Sequence, residues 1–274
     1  MFVRSDATSH QIADTIRNLI ASYETPLDET KDGDLVIAAG GDATGVIAAN
    51  AILKSEKDVT LAVLPYGNFN DLSRTLGTKT LDDIFGRPVK YYPLEIYVDG
   101  KFFRYATCYV TVGMMGEAVK LYDTPKVRRK LKTNFGRKIS SYTELARWYF
   151  KNRHKKQFLP DFKLNGKMQP QKTSDYAAVN GSYMARVMKG SNDFKKPRIF
   201  RSETDKLTNF WRLIKLMLKS IFKQVPGSET TGDIIEFIKP ATVEMQAEGE
   251  YRTFNNISKI EIKKGNKCLK VITK

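Results

Sequence analysis

Two glycine turns carry the residue types best suited to chemistry in this 274-residue chain. The first is Gly40-Gly41-Asp42-Ala43-Thr44, and the second runs Gly67-Asn68-Phe69-Asn70-Asp71. Glycine lets a backbone come close to a bulky anion, and a following helix points free N–H groups at it. The pair therefore predicts a nucleotide phosphate site. Asp42 and Thr44 add an acid and a hydroxyl beside the phosphate position. An acid there can hold Mg²⁺, directly or through water, and offset phosphate charge during transfer. The alternative for Asp42 is a helix cap. Asn68, Asn70 and Asp71 are also residue types that turns and caps favour on their own.

The elements that must position these turns are legible around them. Leu35–Ala39 and Val59–Leu64 are short apolar runs rich in β-branched residues, the pattern of buried parallel strands. Residues Gly45–Lys54 and Asp71–Leu76 read as helices, the second stopped by Gly77. Ahead of them, Thr8-Ser9-His10-Gln11 has capping-box spacing and opens a helix bearing Ile12, Ile16, Leu19 and Ile20. No strand precedes that helix, so the sheet is expected to start at Leu35. From Leu94 the period changes. Leu94–Val98 and Phe102–Val112 flank Asp99-Gly100, a type I′ hairpin signal. Further strands are expected at Tyr176–Val187, Ile234–Ile238, Thr242–Ala247 and Lys259–Ile262. An α/β first part and an antiparallel β-rich second part predict a boundary near Arg87-Pro88.

Composition adds a surface. The net charge is +16, but Lys120–Lys223 alone holds 27 Lys and Arg against 7 Asp and Glu. Excess positive charge confined to the middle of the chain predicts an anionic partner, lipid headgroups or nucleic acid. Within it, Leu207, Phe210, Trp211, Ile214, Met217, Leu218, Ile221 and Phe222 share one helical face, with Arg212, Lys215 and Lys219 off it. Such a helix either lies in a membrane interface, with Trp211, Arg212, Lys215 and Lys219 as the contacts, or packs on the sheet. Because the aromatic residues lie with the apolar stripe, no nucleic-acid partner is expected. Cys108 and Cys268 make no metal or disulfide pattern, and no apolar window is long enough to span a bilayer. A cytoplasmic protein with peripheral membrane contact is expected.

The motifs together resemble the diacylglycerol kinase catalytic-domain family, which includes sphingosine kinases and bacterial lipid kinases. Gly40–Thr44 is similar to its GGDGT signature, and Leu64–Arg74 to its LPxGTxNDFAR segment. Asn50, Met115-Gly116 and Glu248-Gly249-Glu250 look like its helix asparagine, its GF/GL turn and its DGE motif. The resemblance implies an N-terminal three-layer α/β nucleotide-binding domain (residues 1–87) and a C-terminal antiparallel β-sandwich lipid domain (88–258). The tail, 259–274, would return to the first domain, and ATP would bind in the cleft between the two. It further implies ATP- and Mg²⁺-dependent phosphoryl transfer to a lipid hydroxyl, with a diacylglycerol-like substrate and an anionic membrane as partners. Nothing in it excludes a homodimer. By the same resemblance, Gly40, Gly41, Ala43 and Thr44 cradle the phosphates and Asp42 positions the metal. Gly67, Asn68, Asn70 and Asp71 shape the opposite side, and Glu250 is the general base.

Some positions depart from the family pattern. Ala43 stands where the signature has glycine, and its methyl is expected to crowd the phosphates or forbid a positive φ. Asn68 replaces threonine. The family's opening strand with its NPxSG loop has no counterpart here, nor does the aspartate-glycine segment after Asn180-Gly181. Two alternatives stay open: a catalytically degenerate relative that binds nucleotide or lipid, and an enzyme like the NAD kinases.

Overall fold

The computed structural model describes residues 30–67, 70–113, 116, 143–144, 146–148, 150–151, 159–169, 173–184, 188–189, 199–205, 228–248 and 250–274. The Thr8 helix, Asn68, Met115, the run Lys126–Lys138 and the Trp211-bearing segment lie outside the described residues.

The first apolar runs form the expected parallel pair. β1 (Leu35–Gly40) and β2 (Thr60–Pro65) run in register from Leu35 opposite Thr60 to Gly40 opposite Pro65. Both strands therefore end at one level and deliver their glycine turns side by side. Between them, α1 (Asp42–Ser55) buries Val46, Ala49, Ile52 and Leu53. Its branched side chains contribute about 1.5–3 kcal/mol each on burial. After β2, α2 (Asp71–Leu76) stops at Gly77, whose φ of +80° a side chain would strain.

The remaining strands are β3 (Arg87–Tyr91), β4 (Leu94–Val98), β5 (Lys101–Ala106), β6 (Tyr109–Gly113), β7 (Phe162–Leu164), β8 (Lys167–Met168), β9 (Thr173–Val179) and β10 (Tyr183–Met184). They continue with β11 (Met188–Lys189), β12 (Ile199–Asp205), β13 (Ser228–Thr230), β14 (Gly232–Ala247), β15 (Glu250–Lys264) and β16 (Leu269–Thr273). Four make a small sheet in the order β1-β2-β16-β3. A large antiparallel sheet runs β13-β12-β9-β6-β14-β15-β4-β5, with β7 beside β14 and β8 beside β7, and β10 pairs with β11. Asp99 and Gly100 both take positive φ, 47° and 77°, as a type I′ turn between β4 and β5 requires.

Three differences from the sequence reading concern connections. The run Phe102–Val112 is not one strand; it breaks at Thr107-Cys108, where the Cys108 carbonyl accepts the N–H groups of Asn180 and Gly181. The chain leaves the small sheet after Tyr91, beyond Arg87-Pro88, since β3 pairs with β16. Lys259–Lys264 remains in the large sheet as part of β15 beside β4, and the chain returns to the small sheet only at β16.

Among the described residues three apolar clusters organise these layers, a small one of Ala39, Ala62, Leu64, Ile84 and Ile272 and two larger ones. Of the larger two, one is internal to the large sheet, around Ile96, Val110, Phe162, Tyr176, Ile235 and Ile260. The other is shared: α1, β2 and β16 contribute Ile52, Leu61 and Val271, and the large sheet contributes Tyr105, Cys108, Tyr109 and Val179. The polar site lies where this shared core ends.

Candidate functional site

The two glycine turns touch. A Cβ placed on Gly67 would stand 2.2 Å from the Gly41 Cα, so only glycine lets these backbones pass. Asp42 is the first residue of α1, whose N-cap is Gly41, and its side chain crosses to the other turn. Its Oδ2 accepts the N–H of Asn70 at 2.9 Å, and its Oδ1 accepts those of Asp71 at 2.5 Å and Leu72 at 3.3 Å. A carboxylate at the N-terminus of α2 is favourable for the free N–H groups and for the helix dipole. Burial nevertheless pushes the Asp42 carboxyl above its ordinary value, with those backbone donors opposing.

Asn70 closes the second turn. Its Oδ1 accepts from Gly67 N–H at 2.9 Å, and its Nδ2 donates to the Gly67 carbonyl at 2.8 Å. Its backbone sits in the left-handed region at φ 58°. Asp71 is buried in the first turn of α2. Thr44 is half-buried in α1, with its Oγ1 next to where a Gly40 Cβ would stand. Ala43 is exposed and helical, without the positive φ that glycine would have been needed for. The expectation that its methyl forbids the required backbone is thus corrected.

The late acidic turn divides its two glutamates. Glu250, the expected base, opens β15 with its side chain 48% exposed and ion-paired to Arg104. Glu248, two residues earlier, is buried with φ 52°. Its Oε1 accepts from the Thr107 hydroxyl and the Cys108 N–H, while Oε2 has no hydrogen-bond partner among the described residues. Burial pushes the Glu248 carboxyl up to about 7, against the Thr107 and Cys108 donors and the nearby Arg104 charge, which pull it down. Asp42 is close enough to raise it further. A carboxyl titrating near neutrality beside a phosphate-type turn can accept a proton from a hydroxyl. The thiol of Cys108 is pushed well above its usual range, mainly by burial and next by Glu248, so it stays neutral.

Asn50 was noted in the sequence without a role. Its amide pairs with both backbone groups of Tyr105, donating to the carbonyl at 3.0 Å and accepting the N–H at 3.0 Å. This holds α1 against the edge strand β5. No cluster of three metal-ligating side chains occurs among the described residues. Nor is any described helix long and apolar enough to cross a membrane.

The family model for the diacylglycerol kinase catalytic domain matches residues 7–87, which include both glycine turns. Over this segment the chain is similar to the diacylglycerol kinase catalytic domain. A curated relative, the diacylglycerol kinase of Bacillus subtilis (strain 168), is 32% identical over 114 residues. That match covers 39% of this chain and 34% of the relative, so the chain spans about a third of the relative's length there. The fold extends further. A diacylglycerol kinase crystal structure from Bacillus anthracis str. Sterne superposes with a TM-score of 0.60 over 98% of this chain and 84% of that one. A second structure from the same organism gives 0.58 over the same shares. Identity to both is 16%, so these two likenesses show the fold alone.

Proposed function

We propose that this chain is a lipid kinase that moves the γ-phosphoryl group of ATP to the hydroxyl of a diacylglycerol-type lipid. The observation that carries this reading is Glu248, a buried carboxyl titrating near 7 with one oxygen unclaimed among the described residues. In this reading the base is Glu248 rather than Glu250, which is half exposed and ion-paired to Arg104.

In this reading the backbone of Gly40, Gly41 and Gly67 admits the phosphates of ATP, and the N-terminus of α1 supplies N–H groups to them. Thr44 adds a hydroxyl. Asn70 and Asp71 keep the second turn closed beside the first. Mg²⁺ arriving with ATP would neutralise phosphate charge, and the residue that fits it is Asp42, acting through water. A carboxylate has about four lone-pair sites, and three are filled by backbone donors. Glu248 accepts the hydroxyl proton as the oxygen attacks phosphorus, and a base matched to neutral pH contributes roughly 10²–10⁴-fold. The basic middle of the chain would bring the protein to the anionic face of a membrane in the cytoplasm, where the lipid hydroxyl lies.

The test is transfer of label from ATP to lipids in mixed micelles with Mg²⁺, for the natural chain and Glu248→Gln. Labelled lipid is expected only for the natural chain, with ATP affinity the same in both. Glu250→Gln should retain turnover. A second reading, a nucleotide binder without efficient transfer, is favoured by the three backbone groups already held by Asp42. It predicts ATP binding and no labelled lipid from either chain.

A further inference from the structure

A line of buried polar groups leads from Glu248 to the point where the chain crosses between the sheets. The carbonyl of Thr107, whose hydroxyl donates to Glu248, itself accepts from Asn180 Nδ2 at 2.8 Å and from the Tyr91 hydroxyl. Asn180 Nδ2 also reaches the Tyr92 carbonyl at 2.9 Å. Asn180 Oδ1 accepts from the ammonium of Lys264. Thr107, Asn180 and Tyr91 are fully buried, and Lys264 is only 8% exposed.

A lysine withdrawn from water is costly unless it is well partnered, so its place in this line calls for a reason. An ammonium donates and never accepts. Asn180 must therefore turn Oδ1 toward Lys264, which sends Nδ2 to the Thr107 carbonyl. The amide then fixes the Thr107-Cys108 peptide, whose Cys108 N–H is one donor to Glu248 Oε1, the Thr107 side-chain hydroxyl being the other. Oε2 is left buried and without a hydrogen-bond partner among the described residues. Lys264 is also the last residue of β15, directly before the crossing to β16, and Tyr91 belongs to β3 of the small sheet. The line is complete only when both sheets are in place.

We infer that Lys264 and Asn180 are positioning residues that act through Thr107 to hold the Glu248 carboxylate with Oε2 facing the substrate hydroxyl. This rests on the reading of Glu248 as the base. It makes docking of the two sheets a condition for an aligned base. The other titratable groups facing Glu248 are Asp42 from α1, Arg104 from β5, Cys108, Tyr91 from β3 and Tyr109 from β6.

The experiment uses the full chain with Lys264→Met, Asn180→Asp, Thr107→Val and Thr107→Ser. It measures kcat and the KM for ATP separately, and follows the Glu248 carboxyl by ¹³C NMR titration without substrates. Lys264→Met and Thr107→Val should lower kcat about tenfold or more with the ATP KM held within about twofold. Thr107→Ser keeps the hydroxyl and restores the turnover lost in Thr107→Val. The Glu248 midpoint should rise in Thr107→Val, because the ionised form loses a donor. Asn180→Asp keeps a partner for Lys264 but loses the donor to Thr107, so it should fold and still lose kcat. Folded Asn180→Asp with natural kcat overturns the proposal, as does an unmoved Glu248 midpoint in Thr107→Val. Full turnover of Glu248→Gln removes the base reading instead, and the NMR midpoints then still report whether the line acts on Glu248.

Discussion

Glu248 and Glu250 stand two positions apart in one turn and meet opposite surroundings. Glu250 is half exposed and ion-paired to Arg104, whereas burial raises the titration midpoint of Glu248. In the unfolded chain Glu248 ionises near 4.5, and in the folded protein near 7. Between those values the folded state holds the extra proton, so stability falls as pH rises through this window. The loss is about 3 kcal/mol by the time both states are ionised. Glu248→Gln, neutral and of the same shape, should therefore raise the melting midpoint at pH 8 and leave it nearly unchanged at pH 4. Equal shifts at both values would contradict the burial of an ionisable group here. Ala43 permits an opposite expectation. Since it is exposed and helical, Ala43→Gly should cost about 0.5–1 kcal/mol in urea unfolding without raising turnover.

At the scale of elements, the site is a contact between two strand–turn–helix units. Gly67 and Gly41 meet unequally. A methyl on Gly67 meets the Gly41 backbone at 2.2 Å, but one on Gly41 finds its nearest atom at 3.4 Å. Gly67→Ala must push the turns apart and break the bonds from Asp42 to the second helix, so ATP affinity should drop more than tenfold in calorimetry. Gly41→Ala should fold with little loss of stability, and an equal collapse in both variants would sink this account. These units were legible in the sequence because buried runs, glycine turns and stop signals are local. The role of Glu248 was not. In Glu244, Gln246 and Glu248 the alternation reads as a solvent face, yet Gln246 and Glu248 are buried because that face closes over the junction with the small sheet. The break at Thr107-Cys108 was hidden for a similar reason. No glycine or proline marks it, and the turn is held by the distant Asn180-Gly181.

For the whole molecule, the decisive feature is that β16 lies between β2 and β3, so the end of the chain is interior to the sheet that carries the glycine turns. The family resemblance implied a returning tail from Lys259, but Lys259–Lys264 continues the alternation of β15 and stays in the large sheet. Leu269, Val271 and Ile272 are all buried in β16. Losing them would forfeit about 5 kcal/mol or more of apolar burial, comparable with the entire stability of many domains. It would also uncover the hydrogen-bonding edges of β2 and β3. A chain ending at Cys268 should therefore lose ATP binding and melt well below the full-length protein, although every residue of both glycine turns is present. Lys274→Ala is the control, because it removes only an exposed end of the ion pair with Asp83 and should change stability by less than about 1 kcal/mol. Natural ATP affinity in the shortened chain would show that the turns are held without β16 and would overturn this dependence of the site on the returning strand.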